Sequence, residues 1–152
     1  MTYTIEELES LMTRACEKLM AEQPMLFNKQ ANINERTFAG ELKEKISDYF
    51  DGFHTSAEYN RMTDENGIQL PKRIQLNPFD PEPSRVFPDI IVHRQEDGEH
   101  NILIMEIKMS WKNGKKADDL NKLKRYIKEL RYENGLYLEI GEKGITQMQW
   151  FH

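Results

Sequence analysis

Apolar positions along the chain follow two rhythms. Near the start, Ile5, Leu8, Met12, Ala15 and Leu19 recur at three and four residues, the stripe of an amphipathic helix. The spacing predicts a helix over residues 4–22, with Thr4 as N-cap and Glu7 completing a capping box. That helix is expected to pack on the core or on a second subunit, and residues 24–32 read as a connection. A second stripe, Phe38, Leu42, Ile46 and Tyr49, predicts a helix over residues 35–50, capped by Asn34 and ended by Asp51-Gly52. A third, Leu120, Leu123, Ile127 and Leu130, predicts a helix over residues 117–132 that Gly135 caps.

The other rhythm is that of strands. Residues 54–62 read as a first core strand, and residues 136–140 and 145–151 as two more, joined by a turn at 141–144. Between them, Ile90-Ile91-Val92 and the apolar run at 102–107 flank Asp97-Gly98, a pair that signals a hairpin between β-rich segments. Pro78, Pro81 and Pro83 preclude a regular element in the long stretch at 63–84, which is expected to be a loop with one short strand near 72–76. Such a loop, leading straight into Asp89, is expected to cover a site or touch its substrate. The order is helix, helix, strand, hairpin, helix, two strands, a mixed α/β sheet.

The hairpin has a chemical consequence. A turn centred on Asp97-Gly98 sets Asp89 directly opposite Glu106, with side chains on one face and Cβ atoms roughly 4.5–5.5 Å apart. Two carboxylates that close repel unless a proton or a cation lies between them. Lys108, two residues beyond Glu106, falls on the same face. Glu and Lys are depleted in strands, so their presence in the middle of one calls for a reason. His93 shares the parity of Asp89 and either points toward the site from the hairpin end or, as is more usual for such a histidine, simply finishes the strand. In the strand expected at 54–62, Glu58 and Asn60 take one face, Tyr59 and Arg61 the other.

Composition narrows the classes. With 152 residues, 38% hydrophobic and 31% charged, the chain is expected to fold as one domain over residues 1–152. It holds no apolar run near the ~18 residues of a membrane span. An acidic start without an apolar signal core and a single cysteine, Cys16, point to a reducing cytoplasm. Cys16 is expected to pack at a helix boundary rather than react. Four scattered histidines and one cysteine give no zinc spacing, and neither a glycine-rich phosphate loop nor a G-x-S-x-G elbow occurs. Net charge of −5 argues against indiscriminate coating of nucleic acid. Yet residues 108–131 carry nine Lys or Arg against three acids, a basic stripe beside the hairpin suited to steering phosphates. Lys115, Lys116 and Lys124 are its expected docking residues. Trp111 either stacks on a base or packs under the loop.

Pro88-Asp89, sixteen intervening residues and Glu106-Ile107-Lys108 resemble the PD-(D/E)XK nuclease superfamily. The resemblance spans about residues 35–140 and implies a restriction-endonuclease-like αβββαβ core, here with residues 1–30 as a helical extension and a strand added at the C-terminus. It implies a metal-dependent nuclease hydrolysing phosphodiester bonds, most readily in DNA. Magnesium, with manganese able to substitute, would be held by Asp89, Glu106 and the Ile107 carbonyl, and Lys108 would act at the phosphate. An extra acid near the start of the first core helix is implied too. Glu35 looks like that residue, with Glu41 its competitor, about 120° away around the helix. Glu58-Tyr59-Asn60-Arg61 is similar to a segment of some small bacterial members, which would make Glu58 a ligand or water contact and Arg61 a phosphate contact. Lys122, in the third helix, is the expected substrate contact from that element, or else the ion-pair partner of Asp118 or Asp119. Two other classes fit the residues: a silent nucleic-acid-binding subunit that keeps the fold, and a protein-interaction module. The partner expected for the nuclease is DNA, with no membrane, and a homodimer is open to it.

Overall fold

The structure, a computed structural model, describes residues 3–57, 62–63, 69–70, 73–74, 84–85, 89–94, 101–112 and 116–152. The first helix, α1 (Ile5–Glu22), begins as its sequence dictates. Thr4 is extended, its hydroxyl accepts the Glu7 N–H at 3.1 Å, and the Glu7 carboxylate accepts the Thr4 N–H at 3.4 Å. Its buried face is wider than the expected stripe and adds Leu11 and Cys16. Burial pushes the Cys16 thiol up to about 12, so this cysteine packs mid-helix and stays protonated. The connection after α1 contains a 3-10 turn, Pro24–Phe27, that buries Leu26 and Phe27.

Helix α2 (Glu35–Ile46) is capped by Asn34, whose side-chain oxygen accepts the Thr37 N–H at 2.8 Å. It is shorter than expected. At Ser47–Tyr49 the chain tightens into a 3-10 turn, which advances about 120° per residue instead of 100°. Tyr49 therefore leaves the buried stripe and is 50% exposed, with the Arg14 guanidinium 5.9 Å from its ring centroid. Phe50 takes its place in the core, edge-on to Tyr3. Gly52, at φ +83°, then supplies the left-handed turn before the sheet.

Five strands form one mixed sheet in chain order: β1 (His54–Ala57), β2 (Ile90–His93), β3 (Asn101–Met109), β4 (Asn134–Gly141) and β5 (Gly144–Phe151). Neighbours are antiparallel except β3 and β4, which run parallel across the α3 (Lys116–Leu130) crossover. β3 is central and nearly continuously apolar because helices cover both of its faces. On one face α1 and α2 pack over Ile90, Val92, Leu103, Met105, Leu136 and Leu138. On the other, α3 brings Leu123, Tyr126 and Leu130 onto Ile91, Ile104 and Tyr137.

Three expectations change. Of the first core strand expected at 54–62, β1 covers His54–Ala57, residues 58–61 lie outside the described residues, and Met62–Thr63 pairs with Gln69–Leu70 in a separate ladder. Among the described residues of the stretch expected to be a loop, a second ladder joins Arg73–Ile74 to Ser84–Arg85. Gly135 does not cap α3. Arg131, at φ +61°, makes the left-handed stop, and the Asn101 side chain donates to the Leu130 carbonyl at 2.9 Å. Gly135 lies inside β4, where a Cβ would sit 3.1 Å from Ile127 Cδ1, so its missing side chain lets α3 lie close on the sheet. No described helix is long and apolar enough to cross a membrane.

Candidate active site

The register of β2 on β3 pairs Ile90 with Met105, Ile91 with Ile104 and Val92 with Leu103, and shifts only beyond Val92. One residue before that ladder, Asp89 lies close to Glu106. The turn itself, with Asp97 and Gly98, lies outside the described residues. Asp89 stands just before β2 and is tied to β3 twice. Its N–H donates to the Met105 carbonyl at 3.2 Å, and its Oδ2 accepts the Ile107 N–H at 2.7 Å. The carboxylate thus completes the β3 ladder where the backbone of β2 gives out.

Glu106 is 7% exposed, an unusual place for an acid. Its Oε1 accepts the Tyr126 hydroxyl of α3 at 2.9 Å. The two carboxyl groups lie close enough to act on each other's titration, and such a pair is eased by a shared proton or a cation. Burial raises Asp89 to about 6, with Asp119 and Glu35 adding to the rise and the Ile107 N–H and Glu106 opposing it. Glu106 is raised well above the carboxylate range, first by burial and then by the Asp89 charge, against the pull of Lys122 and the Tyr126 hydroxyl. Burial and the neighbouring Glu106 hold the Tyr126 hydroxyl firmly protonated, so it acts as a donor.

Around this pair the elements bring further charges. Lys108 is half-buried on the same strand and favours the charged form of Asp119. Asp119 pairs with Lys122 at 4.0 Å one helical turn on, and both lie on the α3 stripe that continues through Leu123 and Tyr126. Glu35 opens α2 and reaches the end of β3, where its carboxylate accepts the Met109 N–H at 3.4 Å and pairs with Lys112 at 3.3 Å. Glu41, the competing acid, accepts from the Gln23 side chain at 3.0 Å and ties α1 to α2 instead. The structure therefore draws Glu35, not Glu41, toward the pair.

Other expected residues fall elsewhere. His93 is buried at the opposite end of β2, roughly 13 Å along the strand from Asp89, with its ring 6.3 Å from that of His54. It does not aim at the carboxylates. Trp111 packs against the larger core cluster. Lys116 is exposed and donates to the Gln147 side chain at 2.7 Å, and Lys124 is exposed on the outer side of α3. Glu58, Arg61 and Lys115 lie outside the described residues.

Tyr126 and Asp119 were not singled out by sequence as site residues. Counting apolar residues puts Ile127 on the buried stripe, yet Ile127 is half-buried while Tyr126 is 1% exposed. The available signal was spacing: Asp119, Leu123, Tyr126 and Leu130 also recur at four, three and four. Among the described residues no three His, Cys, Asp or Glu side chains form a ready metal-ligand cluster. The pair itself offers hard oxygen donors whose mutual repulsion a divalent cation would relieve, the donor chemistry that magnesium takes. In comparisons with known proteins the chain matches no family model, no curated protein and no solved structure.

Proposed function

We propose that this chain is a metal-dependent nuclease of the PD-(D/E)XK type that hydrolyses phosphodiester bonds in DNA. The observation that carries the reading is the pairing of half-buried Asp89 with buried Glu106, with Lys108 on the same strand face as Glu106. The run α2, β1, β2, β3, α3, β4 supports a restriction-endonuclease-like αβββαβ core, with α1 and β5 as additions. Asp89 and Glu106 would hold magnesium or manganese. A strand residue turns its N–H and carbonyl toward the same neighbour, so the Ile107 carbonyl lies on the side of Asp89 and completes an oxygen set.

When bound, the metal supplies Lewis acidity toward the scissile phosphate. The protein's own groups do the rest. The Ile107 N–H fixes Asp89, the Tyr126 hydroxyl fixes Glu106, and Lys122 offsets charge at Glu106. Lys108 places an ammonium where negative charge builds on the phosphate in the transition state. Glu35, held by Lys112 at the end of β3, limits how far negative charge can gather beside Asp89 without a cation.

The test is a cleavage assay on linear, circular, branched and single-stranded DNA with magnesium, manganese or EDTA. Cleavage that requires the metal and is lost in Glu106→Gln is the expected result. Salt-sensitive binding without cleavage of any substrate would select a silent nucleic-acid-binding subunit, and neither activity a protein-interaction module.

A further inference from the structure

The sheet face that carries Glu106 and Lys108 does not end at β3. In the β3–β4 ladder Glu106 lies beside Tyr137 and Lys108 beside Glu139. In the β4–β5 ladder Tyr137 lies beside Gln149 and Glu139 beside Gln147. Directly paired residues share a face, so two polar rows cross three strands: Glu106, Tyr137, Gln149 and Lys108, Glu139, Gln147. With strands about 4.8 Å apart, the two glutamines stand roughly 10 Å from the catalytic residues of their rows. Helix α3 overhangs the same face. Tyr126 bonds Glu106, and the Lys116 ammonium lies 2.7 Å from Gln147 Oε1 and 5.3 Å from the Tyr137 ring centroid.

The hydrogen bonds within these rows set what they can offer a ligand. Gln147 Oε1 accepts from Lys116, and Gln149 Oε1 accepts from Gln147 Nε2 at 3.4 Å. The Glu139 carboxylate accepts the Tyr137 hydroxyl at 3.0 Å and the Thr146 hydroxyl at 2.9 Å. Acceptors are thus engaged by their own neighbours. The groups with hydrogens to spare are the two amide NH2 groups and the Lys116 ammonium. Gln147 and Gln149 are half-buried and Lys116 is exposed, so all three can meet solvent or a ligand. A line of donors leading away from a phosphate-directed lysine matches a polymer with regularly repeated anionic oxygens.

We propose that Lys116, Gln147 and Gln149 form a second contact site that grips the phosphate backbone of the substrate strand beyond the scissile bond. The ~10 Å offset corresponds to about three base steps at 3.4 Å each. This rests on the nuclease reading above, and the test separates the two. Gln147→Glu with Gln149→Glu keeps size and replaces donors by like charge. On a short duplex with magnesium, KM should rise roughly tenfold or more while kcat stays within about twofold of wild type. The defect should shrink as salt screens the added charge. Gln147→Ala with Gln149→Ala should raise KM less, because it removes donors without adding repulsion, and it tests the site even if the double glutamate variant fails to fold. A wild-type enzyme that cleaves, beside alanine variants with unchanged KM, overturns this inference and leaves the nuclease reading standing. A wild-type chain that cuts no DNA with either metal overturns the nuclease reading, and the second contact site falls with it.

Discussion

Lys108 and the two carboxylates beside it differ in what their loss should remove. In the proposed mechanism Asp89 and Glu106 would supply the oxygens for a cation, so replacing either should abolish both metal response and turnover. Lys108 would not be a ligand. Lys108→Ala should retain metal-induced stabilisation and DNA binding yet lose on the order of 10²–10³ in cleavage rate, and Lys108→Arg should be impaired as well, since a planar fork does not replace a compact ammonium. Cleavage by Lys108→Ala at the wild-type rate would sink the assignment. The pair also makes a stability prediction. Without metal, the folded state holds a carboxyl proton at Asp89 up to about 6, whereas the unfolded chain releases it near the ordinary value. The folded state therefore binds the extra proton between those values, and stability should rise as pH falls from above 6 toward 4. Asp89→Asn combined with Glu106→Gln should flatten that slope, melt higher than wild type in EDTA and lose the stabilisation by magnesium. Melting curves against pH and metal check all three, and a double variant that still responds to magnesium would place the metal elsewhere. The nearness of Asp89 to Glu106 was legible because side chains alternate along a strand and antiparallel pairing carries that alternation to the neighbour, even though the register shifts by one beyond Val92. Tyr126 was not, because its ring counts as neither clearly apolar nor clearly polar until the carboxylate beneath it is known.

At the scale of elements, ends were harder to read than middles. Thr4 and Asn34 announced two helix starts through side-chain chemistry that acts within one turn. The end of α2 carries no such mark. Phe38, Leu42 and Ile46 continue smoothly into Tyr49, and only packing decides that Phe50 enters the core in its place. The stop of α3 depends on Asn101, a residue on another strand, which no local reading of the sequence near Gly135 reveals. The start of α2 bears on function, because Glu35 is its first residue and Asn34 fixes that first turn. Asn34→Ala should cost about 1 kcal/mol of stability. By loosening Glu35 it should also lower cleavage more than Glu41→Gln does, although Glu41 lies on the same helix. Urea denaturation and initial rates would show this; equal rates for the two variants would separate Glu35 from the site.

At the scale of the whole molecule, the proposed function raises the question of how a chain with net charge of −5 would approach a polyanion. Net charge is a poor guide when nine Lys or Arg against three acids are gathered between Lys108 and Arg131. Part of that stripe is already engaged, since Lys112 pairs with Glu35 and Lys122 with Asp119. Lys116 and Lys124 are exposed and remain suited to phosphate contacts. Each phosphate contact releases condensed counterions, so log affinity falls linearly with log salt, by about 0.9 per contact on duplex DNA. DNA binding measured with the Glu106→Gln protein should therefore weaken steeply with salt. Replacing Lys115, Lys116 and Lys124 together by Gln should reduce the slope by up to about three such steps while leaving magnesium stabilisation intact. The two readouts must part company, because Lys116 and Lys124 sit on α3, while Asp89 and Glu106 are held where β2 meets β3. A slope that the triple variant leaves unchanged would mean that the DNA is held by another surface.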